Sequence, residues 1–243
     1  MGRAFERRKA SIFKTAANNS KLYSKYSKQL YVAAKNGVPD PAANPVLRSA
    51  VEKAKKDNVP GHVIDKAIQK ATGKGGEDFQ SVRYEGFGPG GALIIVECLT
   101  DNNVRTVADI RSYFARANAK LSASGSVVMS FDHLAVISFK GDGEGGGEEK
   151  VIEALFAADV AVEDVESKDG VITVFTPPAE FYKAKTAVLE AMAGVELDVQ
   201  EITFLPQTTK TLGAEELPAF EKFLQALDEN DDVQEVYHNV VLP

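Results

Sequence analysis

A chain of 243 residues with 44% hydrophobic and 26% charged residues has an ordinary globular composition, which excludes fibrous and disordered classes and allows two or three domains. No apolar run approaches the roughly 18 residues of a membrane-spanning helix, and the single cysteine, Cys98, excludes an internal disulfide and any cysteine-based zinc site. The net charge of −7 conceals a segregation: residues 1–76 hold 16 Lys and Arg against 5 Asp and Glu, leaving 12 of the 28 bases and 30 of the 35 acids to the remainder. Such asymmetry points to an anionic partner for the basic part.

In chain order, the charged opening Met1–Lys9 is followed by no apolar stretch, so it is not read as a secretory signal. A reducing cytoplasm is the expected location. Asn19 or Ser20 can cap a helix with Leu22, Tyr26, Leu30 and Ala33 on one face, closed by Gly37. Asn44-Pro45 is a cap followed by proline at the first helical position, and Leu47, Val51 and Ala54 supply the stripe. Val59-Pro60 starts a third helix with Val63, Ile64, Ala67, Ile68 and Ala71 inward, ended by Gly73. Lys74–Asp78 reads as a linker. The pattern then turns to period two: strands at Ser81–Gly86 and Ala92–Leu99, a helix at Val104–Ala117, and a strand at Ser126–Phe131. Next come a strand at Ala135–Phe139, a helix at Glu149–Ala158, strands at Val162–Glu166 and Val171–Phe175, a helix at Ala179–Ala193 and a strand at Leu197–Phe204. That βαββαβ series is the ferredoxin-like order, with Gly141–Gly147 as a surface loop inside it. A helix at Ala214–Leu227 and a strand at Val233–Val240 complete the earlier strand–helix–strand set.

The expected fold is therefore α+β: a basic three-helix domain over 1–76 plus two ferredoxin-like α+β domains. The first of these is discontinuous, over 77–132 and 207–243, and the second is inserted into it over 133–206.

At about 100° per residue, Lys14, Lys21, Lys25, Lys28 and Lys35 lie within roughly 40° of a common line along a helix. The apolar residues Leu22, Tyr26, Leu30 and Ala33 lie roughly 100–180° away from it. Arg3, Arg7, Arg8 and Lys9 extend the positive charge toward the N-terminus, and Lys53, Lys55, Lys56, Lys66 and Lys70 add to it. A row of ammonium groups suits a phosphate backbone, since neutralised phosphates release counterions without any reading of sequence. A merely solvated lysine face is the alternative. A membrane surface is disfavoured because the apolar helix faces are used on one another. Tyr23, Tyr26 and Tyr31 are interleaved with the lysines; packing is the expected role and base stacking the alternative.

Gly86-Phe-Gly-Pro-Gly-Gly91 fits G-x-G-x-x-G, but a strand follows it where a dinucleotide site needs a helix, so it reads as a strand connection. His62, His133 and His238 have no ligand-spaced partners. The acidic runs Glu148-Glu149 and Asp228–Asp232 read as solvated faces or helix ends. Cys98 reads as packing on a buried strand. Asp101 or Asn102 is a plausible cap for the helix that follows. Arg105 and Arg111, with Tyr84, form a candidate cleft or partner contact, against the alternative that Arg105 pairs locally with Asp101 or Asp109.

Tyr84-Glu-Gly-Phe-Gly-Pro-Gly-Gly91, Glu97-Cys-Leu-Thr-Asp-Asn-Asn-Val-Arg-Thr106, Gly125-Ser-Val127 and Asp40-Pro-Ala-Ala-Asn-Pro45 resemble signature segments of the YebC/PmpR family. Lys21-Leu-Tyr-Ser-Lys-Tyr26, Ala33-Ala-Lys35 and Val233-Gln-Glu-Val-Tyr-His-Asn-Val240 are most similar to its YeeN-like branch. The usual opening of that family, Ser-Lys-Trp and a basic run, is replaced here by Arg3-Ala-Phe-Glu-Arg-Arg-Lys9. The resemblance implies three domains, one helical and two α+β, with no enzyme activity and no cofactor. It also implies a DNA-binding transcriptional regulator, although the family includes a mitochondrial translational activator and ribosome-linked bacterial members. The expectation is accordingly a monomeric, non-catalytic, cytoplasmic protein whose partner is nucleic acid. Duplex DNA comes first, with ribosomal RNA or the ribosome as the alternative and a cleft enzyme as a remote third.

Overall fold

The computed structural model describes residues 19–73, 78–141 and 147–242. Among the described residues three helices come first: α1 (Asn19–Lys35), α2 (Pro45–Lys56) and α3 (Gly61–Thr72). They enclose one core of Tyr26, Leu30, Ala34, Leu47, Val51, Ala54, Val59, Ile64 and Ala67. The turn between α1 and α2 is built by Asn44, which is buried. Its side-chain oxygen accepts from the Leu47 N–H as the cap of α2, and its Nδ2 donates to the carbonyls of Ala33 and Val38, each at 2.9 Å. A Cβ at position 37 would stand 2.6 Å from that Nδ2, so Gly37 is required by close approach.

The chain forms two compact units, one of residues 131–207 and the other drawn from the sequence on both sides of it. The flanking unit contains the three helices and a sheet of β1 (Gln80–Phe87), β2 (Leu93–Thr100), β3 (Lys120–Ser122) and β8 (Val233–His238), in the order β3-β1-β2-β8 with antiparallel pairing. Helices α4 (Asn103–Arg116) and α7 (Leu217–Asp228) pack on it through Ile110, Phe114, Phe220, Phe223 and Leu227. Asn102 caps α4, its Oδ1 accepting from the Arg105 N–H at 3.1 Å.

The inserted unit runs β4 (Phe131–Lys140), α5 (Gly147–Ala157), β5 (Asp164–Lys168), β6 (Val171–Thr176), α6 (Phe181–Ala191) and β7 (Leu197–Pro206). Its antiparallel order, β5-β6-β4-β7, is the ferredoxin-like split βαβ. The first sheet has the same two-layer α+β architecture but opens with a hairpin, so its strands are ordered differently. The inner strands β2, β4 and β6 are buried along most of their length, whereas the edge strands β3 and β5 are only partly covered.

The Gly-rich segment after β1 makes a single 3₁₀ turn, Pro89–Gly91, leading into β2, so it is the strand connection expected and opens no helix. One expectation fails. Ser126–Phe131 is not a strand: Val128–Ser130 is a 3₁₀ turn, and the strand of that region is the short β3. The cause is Glu85, described below.

Candidate nucleic-acid interface

Helix α1 buries Tyr26, Leu30, Tyr31 and Ala34, which puts Lys25 and Lys28 on its flank. That flank meets acids. Lys25 Nζ donates to Asp228 Oδ1 at 2.7 Å; Lys28 Nζ donates to Asp232 Oδ1 at 2.7 Å and to the Asp231 carbonyl at 2.8 Å. Both lysine side chains are only 16% exposed. Lys35 Nζ pairs with Asp78 at 2.5 Å, and Gln29 Nε2 donates to Gln234 Oε1 at 3.1 Å. Lys53 stands 3.9 Å from Glu235. Lys21 is half-buried, whereas Lys55, Lys56, Lys66 and Lys70 are exposed on α2 and α3. Arg3, Arg7, Arg8, Lys9 and Lys14 lie outside the described residues.

Tyr26 and Tyr31 are packed residues: the Tyr26 hydroxyl donates to Asp57, and Tyr31 meets the Phe79 ring edge-on at 5.6 Å. Burial, with Asp57 next in effect, pushes the Tyr26 hydroxyl pKa far up. Lys35 and Lys70 lie over the Tyr31 ring, and Lys28 over Phe79.

Asp232 is the junction of this region and corrects its reading as part of a solvated acidic run. Its side chain is 5% exposed. Oδ2 accepts from Thr106 Oγ1 at 2.8 Å, Arg105 at 2.9 Å and Thr100 Oγ1 at 3.1 Å, while Oδ1 takes Lys28. Burial by itself would raise its pKa; hydrogen bonds from Lys28, Arg105 and Thr106 override that and hold the carboxyl at about 2. The segment Thr100–Thr106 thus supplies a cap for α4 and three of the donors that hold this carboxylate. Arg105 also pairs with Asp101 at 2.8 Å, the local alternative, and so it is turned into the chain's own acids. Arg111 is exposed, and Tyr84 is half-buried against the core of the first sheet, its hydroxyl pKa raised by burial.

Glu85 is a second buried carboxylate that the sequence did not reveal. It is 1% exposed and accepts from the backbone N–H groups of Gly125 at 2.8 Å, Val127 at 2.7 Å and Val128 at 2.9 Å. Burial pushes its pKa up, but the three N–H donors prevail and lower it. Two of the sequence's distinctive segments are thereby joined: the strand Tyr84–Phe87 anchors the turn Gly125–Val127. Cys98 is buried and its thiol is pushed up to about 12 by that burial, as a packing residue requires.

Among the described residues, no group of three or more His, Cys, Asp and Glu is placed to hold a metal ion, and no helix is long and apolar enough to cross a membrane.

The fold and this region together define a class: an α+β protein in which a lysine-rich three-helix bundle meets an acidic edge of a sheet. Residues 3–74 match the family described as TACO1/YebC protein N-terminal domain, and residues 79–240 match TACO1/YebC second and third domain. The chain belongs to the TACO1/YebC family. It is 54% identical to a probable transcriptional regulatory protein of Saccharophagus degradans, over 98% of this chain and 99% of that one. It is 55% identical to one of Vibrio cholerae over 98% of each chain, and 53% identical to one of Alteromonas mediterranea over the full length of both. Among solved structures it resembles a conserved hypothetical protein of Aquifex aeolicus, with a TM-score of 0.73 at 37% identity over 93% of this chain and 92% of that one.

Proposed function

We propose that the protein is a non-catalytic transcriptional regulator that binds duplex DNA through its helical N-terminal segment. The observation that carries this reading is the exposure of Lys55, Lys56, Lys66 and Lys70 on α2 and α3, within a segment where bases outnumber acids, while the acids are gathered in the remainder. Exposed ammonium groups on short helices can approach phosphate and release its counterions. The names of the relatives, probable transcriptional regulatory proteins, support DNA over RNA. The division of labour we propose follows three segments. Residues 1–76 contact nucleic acid, 77–132 with 207–243 carry the acidic edge that limits how much backbone is coated, and 133–206 form an insertion.

The test is fluorescence-anisotropy titration of the full chain against duplex DNA, structured RNA and ribosomes at several salt concentrations. Salt-sensitive binding with duplex DNA preferred supports the reading. Preference for RNA or ribosomes replaces transcription with translation, and binding to none of the three removes the nucleic-acid reading.

A further inference from the structure

We infer that the acidic segment from Asp228 to Glu235 is an intramolecular competitor for nucleic acid: it occupies Lys25 and Lys28, and DNA gains those two lysines only when α1 parts from it. The inference rests on the nucleic-acid reading above and adds its regulation. Two ammonium groups one helical turn apart are met by the Asp228 and Asp232 carboxylates and the Asp231 carbonyl, oxygens of the kind a phosphate backbone would offer. While these contacts stand, the charge of that flank is neutralised inside the molecule.

The contact is built to open. The helices and the first sheet have separate cores with no residue in common, so parting them breaks into neither. Around α1 the junction is largely polar, made of Lys25, Lys28 and Gln29 against Asp228, Asp232 and Gln234, with one aromatic contact, Tyr31 edge-on to Phe79. Asp232 keeps Thr100, Thr106 and Arg105 when Lys28 leaves, so the competitor stays folded without its ligand. Asp228 is 39% exposed and can return to water. A polar cavity of about 500 Å³ lies beside the Lys28–Asp232 pair, bordered also by Asp101, Asp109, Glu229 and Arg105, so water can reach the junction.

The experiment places cysteines at Gln29 and Gln234, which touch across the junction, in full-length protein carrying Cys98→Ala. The pair is bridged with a bis-methanethiosulfonate reagent, and duplex-DNA affinity is measured before and after cleavage with dithiothreitol. The bridged protein should bind about tenfold more weakly or worse, an effect of ~1.4 kcal/mol, and reduction should restore binding. The unbridged double variant Asp228→Asn, Glu235→Gln should bind severalfold more tightly than the natural chain. Removing the same charge from the inserted unit, with Glu163→Gln and Glu196→Gln, should change affinity less. Equal affinity of bridged and reduced protein overturns the inference while leaving DNA binding intact. Absence of DNA binding in both, with normal circular dichroism, overturns the DNA reading and the inference with it.

Discussion

Replacing Asp232 by Asn removes the charge at the junction of α1, α4 and the segment before β8 while keeping nearly the same shape. A carboxyl held at about 2 in the folded chain, against an ordinary 3.8, is worth up to ~2.4 kcal/mol at neutral pH. Solvent screening around the 49%-exposed Arg105 reduces that to about 1–2 kcal/mol. The amide also turns a donor toward groups that are themselves donors, so the total loss should be about 2 kcal/mol at pH 7. The sign of the pH dependence follows from a depressed pKa. The contribution is full above the unfolded value, declines as pH falls toward the folded value, and is gone below it. Urea unfolding followed by far-UV circular dichroism at pH 7 and pH 3 reads both effects. The gap between natural and variant chains should narrow by roughly half at pH 3. If the two compact units unfold in separate transitions, only that of the unit containing Asp232 should move. A loss under about 0.5 kcal/mol, or a gap that is unchanged or larger in acid, would refute the assignment of Asp232 as a charge-bearing junction.

Two further outcomes are expected from the first sheet. Glu85→Ala strands three backbone N–H groups and should destabilise by ~3 kcal/mol, with Glu85→Gln losing about half as much. Hydrogen exchange at Gly125, Val127 and Val128 should rise in both, and protection unchanged in Glu85→Ala would show that the carboxylate does not hold the turn. A Cβ at Gly86 would stand 2.5 Å from the Lys120 carbonyl oxygen and 2.5 Å from Phe114 Cε1, so Gly86→Ala should lower stability by about 2–4 kcal/mol. Gly61→Ala, where a Cβ meets nothing within 4 Å, should be neutral or slightly stabilising when both variants are compared by thermal melts.

What the sequence shows of this protein is what is local. Caps at Asn44 and Asn102, the apolar stripes of α2 and α3, and the short apolar runs of β2 and β6 are settled by neighbours within a few residues, so they are legible. The lysine line on α1 was legible as a face for the same reason, but periodicity says nothing of what stands opposite it. Its partners Asp228 and Asp232 are 203 and 204 residues away in sequence. Asp232 sits in a run that local composition marks as solvated, and only the arrival of Thr100, Arg105, Thr106 and Lys28 makes it a buried carboxylate. The same holds for Ser126–Phe131, where Val127 and Val128 have strand propensity. The Glu85 carboxylate, 42 residues upstream of Val127, takes their N–H groups and bends the backbone into a turn. Asp101 and Arg105 are four apart on one helical face, and that pairing was open to local spacing alone.

DNA binding through α2 and α3 is tested most directly by the salt dependence of duplex-DNA affinity for the natural chain and for Lys55→Glu with Lys66→Glu. Both positions are exposed on the helical segment and stand outside the ion pairs that tie α1 to its acids. The variant should bind more weakly, with a plot of log affinity against log salt that is shallower by about 1–2. Identical affinities and slopes for the two proteins would contradict that reading and move the DNA contact away from these helices.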